Sequence, residues 1–236
     1  MEIPLVLNEK YLQCGIEQYV TWSEKAPHMV VFGATGSGKT YCTKLILARV
    51  SKMIKDSQFY ICDFKGDNDF SYLNGTDRFF RFMECEKSLD AIMEILYKRQ
   101  SNELNDRNMI ILFFDEWASY ILNIDKKKAE EEKKKLATLL MLGRSYNIHV
   151  IVSQQRVDAS YFSSARDNFN LVIALGNLSS EGKEMMFREF KDQMKPDRKQ
   201  GTGYMITNGT DFTPILVPTI SDMNLVNAYI KDAVTR

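Results

Sequence analysis

Cysteine and histidine are scarce in this 236-residue sequence, and neither is clustered. Only two histidines, His28 and His149, are present. A disulfide framework or a structural metal site needs such residues in closely spaced groups, so the pattern predicts reduced cysteines and no Cys/His metal chemistry. The four cysteines stand singly in the chain: Cys14, Cys42, Cys62 and Cys85.

An excess of charge and long apolar runs are lacking as well. The 31 basic and 31 acidic residues give a net charge of zero, so any contact with nucleic acid has to be local, because proteins that coat a phosphate backbone are normally basic. No apolar run reaches the ~18 residues of a membrane span. The first residues, Met1-Glu-Ile-Pro4, do not resemble a signal peptide. We expect a cytoplasmic protein whose membrane attachment, if any, comes through a partner protein.

Apolar β-rich runs alternate with helical patterns along the whole chain, which predicts an α/β fold with a mainly parallel central sheet flanked by helices. No repeat or linker divides the sequence, so we expect a single domain over residues 1–236, with residues 1–26 forming a β-hairpin that leads into the core. The predicted strands cover residues 3–7, 15–22, 28–32, 59–62, 79–82, 109–114, 149–153, 171–175, 201–207 and 213–218. The predicted helices cover residues 39–55, 86–102 and 117–146, with a last helix from residue 222.

Residues 125–135 form a charge run, Asp-Lys-Lys-Lys-Ala-Glu-Glu-Glu-Lys-Lys-Lys. One interpretation is a basic strip that binds DNA. The spacing of Glu130 from Lys134, and of Glu131 from Lys135, favours instead a solvated helix face with ion pairs at i and i+4.

The clearest motif is Gly33-Ala-Thr-Gly-Ser-Gly-Lys-Thr40, which matches the P-loop pattern G-x-x-x-x-G-K-[ST] in full. Glycines allow a tight loop whose N–H groups face a phosphate, and the following helix adds its positive dipole end. In this pattern the lysine reaches the β- and γ-phosphates of ATP and the threonine hydroxyl binds Mg²⁺. The predicted nucleotide-binding residues are Gly33, Ala34, Thr35, Gly36, Ser37, Gly38, Lys39, Thr40 and Tyr41.

Two carboxylates follow the most apolar strand, in Ile110-Ile-Leu-Phe-Phe-Asp-Glu116. Ligands of parallel sheets bind at the carboxyl ends of the strands. Asp115 is therefore a predicted Mg²⁺ ligand and Glu116 a predicted general base for the attacking water. An acidic helix start is the simpler alternative for this pair. The guanine-reading motif N-K-x-D is absent, and an Asp-Glu pair is typical of motors that hydrolyse ATP.

The chain resembles the FtsK/SpoIIIE motor domains of the FtsK/HerA superfamily. Residues 27–40 are similar to P-H-L-L-[IV]-A-G-x-T-G-S-G-K-[ST], residues 63–66 to D-P-K-G, and residues 144–156 to R-x-x-G-I-H-[LV]-[IV]-x-A-T-Q-R. Residues 201–205 resemble the late G-x-G-D-M turn. The chain departs from the family pattern at three positions and so belongs to a divergent branch. Phe64 and Val157 stand where proline is usual, and Tyr204 stands where aspartate is usual.

The resemblance implies a RecA-like core that works as a homo-oligomer, a hexameric ring around double-stranded DNA, with ATP and Mg²⁺ as cofactors. It makes Gln155, rather than Gln154, the residue that senses the γ-phosphate. It also implies an arginine that completes the site of the neighbouring subunit, for which Arg144 is the candidate and Arg156 and Arg166 are alternatives.

Three functions are compatible with these residues. The first is an ATP-driven translocase of double-stranded DNA that serves transfer, segregation or replication of a plasmid, conjugative element or phage. The second is a protein-secretion ATPase of the type VII kind, and the third is a nucleotide-dependent scaffold that hydrolyses ATP slowly. The presence of Lys39, Asp115, Glu116 and Gln155 argues against the scaffold.

Overall fold

A computed structural model describes residues 2–23 and 25–236, and these residues build one ten-stranded sheet flanked by seven α-helices. The strand order is β2-β1-β10-β9-β8-β3-β7-β6-β4-β5. The strands are β1 (Glu2–Asn8), β2 (Tyr19–Ser23), β3 (Met29–Gly33), β4 (Gln58–Asp63), β5 (Phe79–Arg81), β6 (Ile110–Asp115), β7 (Ile148–Gln154), β8 (Leu171–Leu175), β9 (Thr202–Thr207) and β10 (Asp211–Leu216). The helices are α1 (Glu9–Gln13), α2 (Lys39–Met53), α3 (Cys85–Gln100), α4 (Trp117–Asn123), α5 (Lys126–Leu142), α6 (Ser180–Met186) and α7 (Met223–Thr235).

The six strands from β8 to β5 are parallel, which confirms the predicted mainly parallel α/β sheet. Each of these central strands is apolar on both faces because helices cover both sides of the sheet. In β6, Leu112 and Phe114 face one helical layer, while Ile111 and Phe113 face the other.

The two layers differ in their helices. Residues of α3, α4 and α5 pack on the face that carries Phe114, and residues of α2 and α7 pack on the face that carries Phe113. The helix that follows the glycine-rich loop, α2, is buried along most of its length. This burial fixes the position of its first turn relative to the sheet.

The remaining strands, β9, β10, β1 and β2, extend the sheet in antiparallel fashion. The predicted strands β1 and β2 do pair with each other, but the short helix α1 lies between them and the second strand begins at Tyr19 rather than at Gly15. Close packing requires a glycine at the start of β9, since a Cβ on Gly203 would lie 1.9 Å from the carbonyl oxygen of Ala174.

The expected long helix over residues 117–146 is wrong in its continuity. The chain breaks at Ile124, and Asp125 then caps α5 by accepting a hydrogen bond from the Lys128 N–H at 3.0 Å. An aspartate at the N-cap satisfies a free backbone donor, so the break costs little. A 3₁₀ turn, Gly143–Tyr146, ends the helical region.

The charge run is only partly solvated. Glu132 is 1% exposed and accepts hydrogen bonds from the Tyr120 hydroxyl at 3.2 Å and from Lys135 at 2.6 Å. Lys135 also bonds Asp90 of α3 at 2.5 Å. Because α3 lies alongside α5, Lys135 pairs with Asp90 of α3 and with Glu132 of its own helix. It does not form the expected pair with Glu131.

Among residues 2–23 and 25–236, no helix combines the length and the apolar character that crossing a membrane would need.

Candidate active site

The glycine-rich loop connects the buried strand β3 to α2 at the carboxyl edge of the parallel strands. A Cβ on Gly33 would lie 2.3 Å from the Leu175 carbonyl oxygen and 2.8 Å from the Ser37 hydroxyl, so only glycine fits here. Gly38 precedes α2 in the left-handed region, at φ 99°. In the described part of the chain no side chain caps this helix, which leaves its first N–H groups directed into the loop.

Lys39, in the first turn of α2, folds back over the loop. Its Nζ donates hydrogen bonds to the carbonyl oxygens of Gly33 at 2.9 Å and Ala34 at 3.3 Å. Burial lowers the pKa of Lys39, while the negative charges of Glu116 and Asp115 act against that shift. The lysine and the two carboxylates therefore share one electrostatic environment.

Asp115 ends β6 and is 5% exposed. Burial raises the pKa of Asp115 to about 7, and the nearby charge of Glu116 adds to the rise, while the Ser153 hydroxyl opposes it. A buried carboxylate with so little compensation is suited to a bound cation, which would favour its ionised form.

Glu116 takes the left-handed conformation at φ 59°, which is uncommon for a non-glycine residue. Its N–H donates to the carbonyl oxygen of Ser153 at 2.7 Å, and this bond ties the turn to β7. Backbone strain of this kind is concentrated at functional sites. The pKa of Glu116 is raised by burial, and the charges of Lys39 and Lys65 act against the rise.

The two glutamines at the end of β7 differ in environment. Gln154 is buried, and its amide donates to the Arg156 carbonyl oxygen at 2.5 Å. Gln155 is exposed, and its side chain lies beside the Glu116 carboxyl, where it acts to lower the pKa of Glu116. The structure thus brings Gln155, and not Gln154, to the carboxylate pair.

Thr40 and Tyr41 follow Lys39 and are half-buried. The Tyr41 hydroxyl accepts a hydrogen bond from the Ile220 N–H, so its side chain is held by the segment that precedes α7. On the same side of the loop, the Gly201 N–H donates to the Ser37 carbonyl oxygen at 3.0 Å. The turn that begins β9 is therefore part of the wall around the glycine-rich loop.

The three candidate arginines lie in different places. Arg144 is exposed in the 3₁₀ turn before β7, at the amino edge of the parallel strands, so it is remote from the P-loop of its own chain. Arg156 is 80% exposed and lines an open cleft of about 340 Å³ beside Ala34 and Thr35. Arg166 lies in the 3₁₀ turn Ser163–Asn168, 3.7 Å from Asp167.

Sequence reasoning assigned no role to the loop that follows β4. Asp63, at the end of β4, faces Asp115 in the pairing of β4 with β6 and is fully buried. Lys65 follows it, and its charge acts on both Asp115 and Glu116. The similarity of residues 63–66 to D-P-K-G marked this loop, but only the strand order brings it to the carboxylates.

The residues present fit a nucleoside triphosphate and Mg²⁺. The loop has the glycine-dependent turn and the uncapped helix start that phosphate binding uses. Within residues 2–23 and 25–236, nothing hydrogen-bonds to the buried Ser37 hydroxyl in this loop. Lys39, Thr40 and Asp115 are of the chemical types that bind phosphate oxygens and magnesium.

A carboxylate pair next to a complete P-loop defines a class, the P-loop ATPases, and the chain is an ATPase of this class. The sequence matches the FtsK/SpoIIIE family over residues 11–193, and the chain belongs to that family. The predicted resemblance is thereby confirmed.

A curated relative is the FtsK domain-containing protein YdcQ of Bacillus subtilis (strain 168), with 29% identity over a 209-residue alignment that covers 79% of this chain and 42% of YdcQ. The chain spans less than half the length of that relative.

Two solved structures share the fold. The pCW3 conjugation coupling protein TcpA, in a monomer form with ATPγS, superposes with a TM-score of 0.76 at 20% identity over 98% of this chain and 70% of that one. The cytoplasmic domain of the Thermomonospora curvata type VII secretion ATPase EccC gives a TM-score of 0.72 at 15% identity over 99% of this chain and 31% of that one.

Proposed function

We propose that this chain is the motor domain of an ATP-driven translocase of double-stranded DNA, acting in the cytoplasm in the transfer, segregation or replication of a mobile element. The observation that carries the proposal is the placement of Gln155 beside Glu116, at the edge of a P-loop site in a chain of the FtsK/SpoIIIE family. This placement allows the end of β7 to respond to the state of the hydrolytic carboxylate. The likeness to TcpA, described as a conjugation coupling protein, supports DNA as the substrate.

In this proposal each residue of the site has one task. Lys39 exchanges its bonds to the loop carbonyls for bonds to the β- and γ-phosphates, and Glu116 orients the attacking water and accepts its proton. Mg²⁺, held by Thr40 and by Asp115 through water, would neutralise charge on the β- and γ-phosphates. Gln155 bonds Glu116 and the γ-phosphate in turn, so that loss of the phosphate changes its partner.

The location of Arg144 supports its action on a neighbouring subunit. It lies at the amino edge of the sheet and is exposed, so it is free to enter the site of a second copy in a head-to-tail ring. An arginine supplied in this way neutralises charge that develops in the transition state. We propose a hexamer that encloses duplex DNA, with recruitment through a further partner protein.

A type VII-like protein-secretion ATPase is the second candidate. The fold match to EccC and the zero net charge of the chain favour it. The two candidates differ in the polymer that stimulates hydrolysis.

Steady-state ATP hydrolysis with and without long duplex DNA tests the proposal. We expect a several-fold rise with duplex DNA that is abolished in Glu116→Gln and in Lys39→Ala. Absence of any response to duplex or single-stranded DNA, in folded and assembled protein, would contradict the translocase and favour a protein substrate.

A further inference from the structure

The loop after β4, residues 63–67, lies beside the carboxylate pair yet has no part in the mechanism above. Its position follows from strand order: β4 is the neighbour of β6, and Asp63 is paired with Asp115 in the register of the two strands. We call residues 63–67 the β4 loop. Parallel strands place their carboxyl ends at one edge, so this loop opens onto the same side of the sheet as the P-loop.

The β4 loop is braced from several sides. The Asp63 Oδ1 accepts the Gly66 N–H at 2.8 Å, and the Arg81 Nε lies 3.4 Å from the Asp63 Oδ2. The Arg81 guanidinium also donates to the carbonyl oxygens of Gly66 and, at 3.0 Å, Asp67. A Cβ on Gly66 would lie 2.2 Å from the ring of Phe82, so this ring packs directly on the backbone of the loop.

This bracing holds Lys65 in a half-exposed position next to the site. Its side chain is 54% exposed, and its Nζ pairs with Asp67 at 2.8 Å. Its charge acts on Asp115 and Glu116, and it reaches Lys39 as well. Lys39 and Lys65 are thus two cations that share one pair of carboxylates.

We propose that Lys65 binds the terminal phosphate of the bound nucleoside triphosphate, exchanging its ion pair with Asp67 for one with the phosphate. The inference rests on the proposed P-loop site. A triphosphate brings several negative charges to a site that already holds Asp115 and Glu116, and a second lysine offsets them. A lysine ammonium forms short, charge-assisted bonds to phosphate oxygens, which makes it suited to this task. In the absence of a γ-phosphate, Asp67 keeps Lys65 in the ion pair between them.

The test is the binding of ATPγS and of ADP, each with Mg²⁺, by calorimetry with the intact chain. Lys65→Ala should weaken ATPγS binding about tenfold and change ADP binding less than about twofold, because ADP lacks the terminal phosphate. Lys65→Arg should recover most of the loss, since it keeps the charge. Asp67→Asn should tighten ATPγS binding and should have no such effect in the Lys65→Ala background.

Lys98→Ala is the matched control, because it removes an exposed lysine that pairs with Glu94 at 2.5 Å on α3. It should leave both affinities unchanged. An equal loss for ATPγS and ADP in Lys65→Ala, or no loss for either, would overturn the inference. If Lys39→Ala leaves both affinities intact, the P-loop assignment itself is wrong; if Lys39→Ala weakens both and Lys65→Ala does not discriminate, only the role of Lys65 is wrong.

Discussion

Asp63 and Asp115 are directly paired across β4 and β6, and both carboxylates are buried. Burial raises the pKa of both carboxyls, that of Asp115 to about 7, and Arg81, 3.4 Å from Asp63, acts against the rise at Asp63 alone. An ionised Asp115 is therefore unfavourable in the ligand-free protein. This is expected of a residue whose environment is completed by a cation.

Asp115→Asn should raise the stability of the ligand-free protein at pH 8. The folded pKa of about 7 is above the value of 3.8 for an unperturbed aspartate, so the group stabilises the fold below pH ~4 and this contribution is lost as the pH rises through ~7. One pKa unit corresponds to ~1.4 kcal/mol, which sets an upper bound of ~4 kcal/mol; we expect on the order of 2 kcal/mol. Urea unfolding at pH 8 and pH 5 measures the effect.

The stability gained by Asp115→Asn relative to wild type should be smaller at pH 5, where Asp115 is already protonated in the folded state. A stabilisation that is equal at both pH values would show that the carboxylate is not the cause. ATP and Mg²⁺ should stabilise wild type more than Asp115→Asn, because only the wild-type carboxylate can bind the metal as an anion.

Gln155→Ala should lower kcat by roughly 10- to 100-fold, because it removes the amide that lies beside Glu116 and that, in the proposed mechanism, bonds the γ-phosphate. Binding of ADP should stay within about twofold of wild type. Single-turnover hydrolysis together with ADP titration measures both quantities.

Gln154→Ala is the matched control at the adjacent position. Gln154 is buried and its amide donates a hydrogen bond to the Arg156 carbonyl oxygen, so its loss should cost about 1–2 kcal/mol of unfolding free energy. Activity per folded molecule should remain near that of wild type. The reverse result, an inactive Gln154→Ala and an active Gln155→Ala, would show that Gln154 rather than Gln155 is the sensor.

Mixing two inactive variants tests whether Arg144 acts on a neighbouring subunit. Arg144→Ala and Glu116→Gln should each lose most ATP hydrolysis. In mixed rings, a site that takes Glu116 from one variant and Arg144 from the other is complete, and roughly a quarter of the sites meet this condition at equal mixing. Hydrolysis should therefore return on mixing.

Arg166→Ala is the comparison variant, since Arg166 is half-buried beside Asp167. It should retain activity alone. Failure of Arg144→Ala and Glu116→Gln to complement each other, although mixed assemblies form, would exclude Arg144 as the residue supplied to the neighbour.

The sequence was sufficient for the parallel half of the fold. Continuous apolar runs predict β3, β6, β7 and β8, because a strand covered on both faces is apolar throughout and shows no alternation of apolar and polar residues. The apolar positions do not reveal the break at Ile124, because they keep a helical spacing on both sides of it, although Asp125 before a helical run is an N-cap signal.

The contacts of the site are harder to predict from the sequence than its motifs. The P-loop pattern predicts the role of Lys39, and the apolar strand before it predicts that of Asp115. The proximity of Gln155 to Glu116, however, depends on β7 lying beside β6. The burial of Glu132 likewise depends on where α3 packs. In the sequence, Glu132 is indistinguishable from the other charged residues of the run 125–135.

A motor that ATP hydrolysis drives along duplex DNA, as we propose for this protein, displaces a third strand that lies in its path. A long duplex that carries a labelled triplex-forming oligonucleotide is incubated with the protein and ATP, with Glu116→Gln as the inactive comparison. We expect ATP-dependent release of the oligonucleotide by wild type, after a delay that grows with the length of duplex to be crossed, and no release by Glu116→Gln. Sustained ATP hydrolysis with no release at any duplex length would exclude translocation along the duplex.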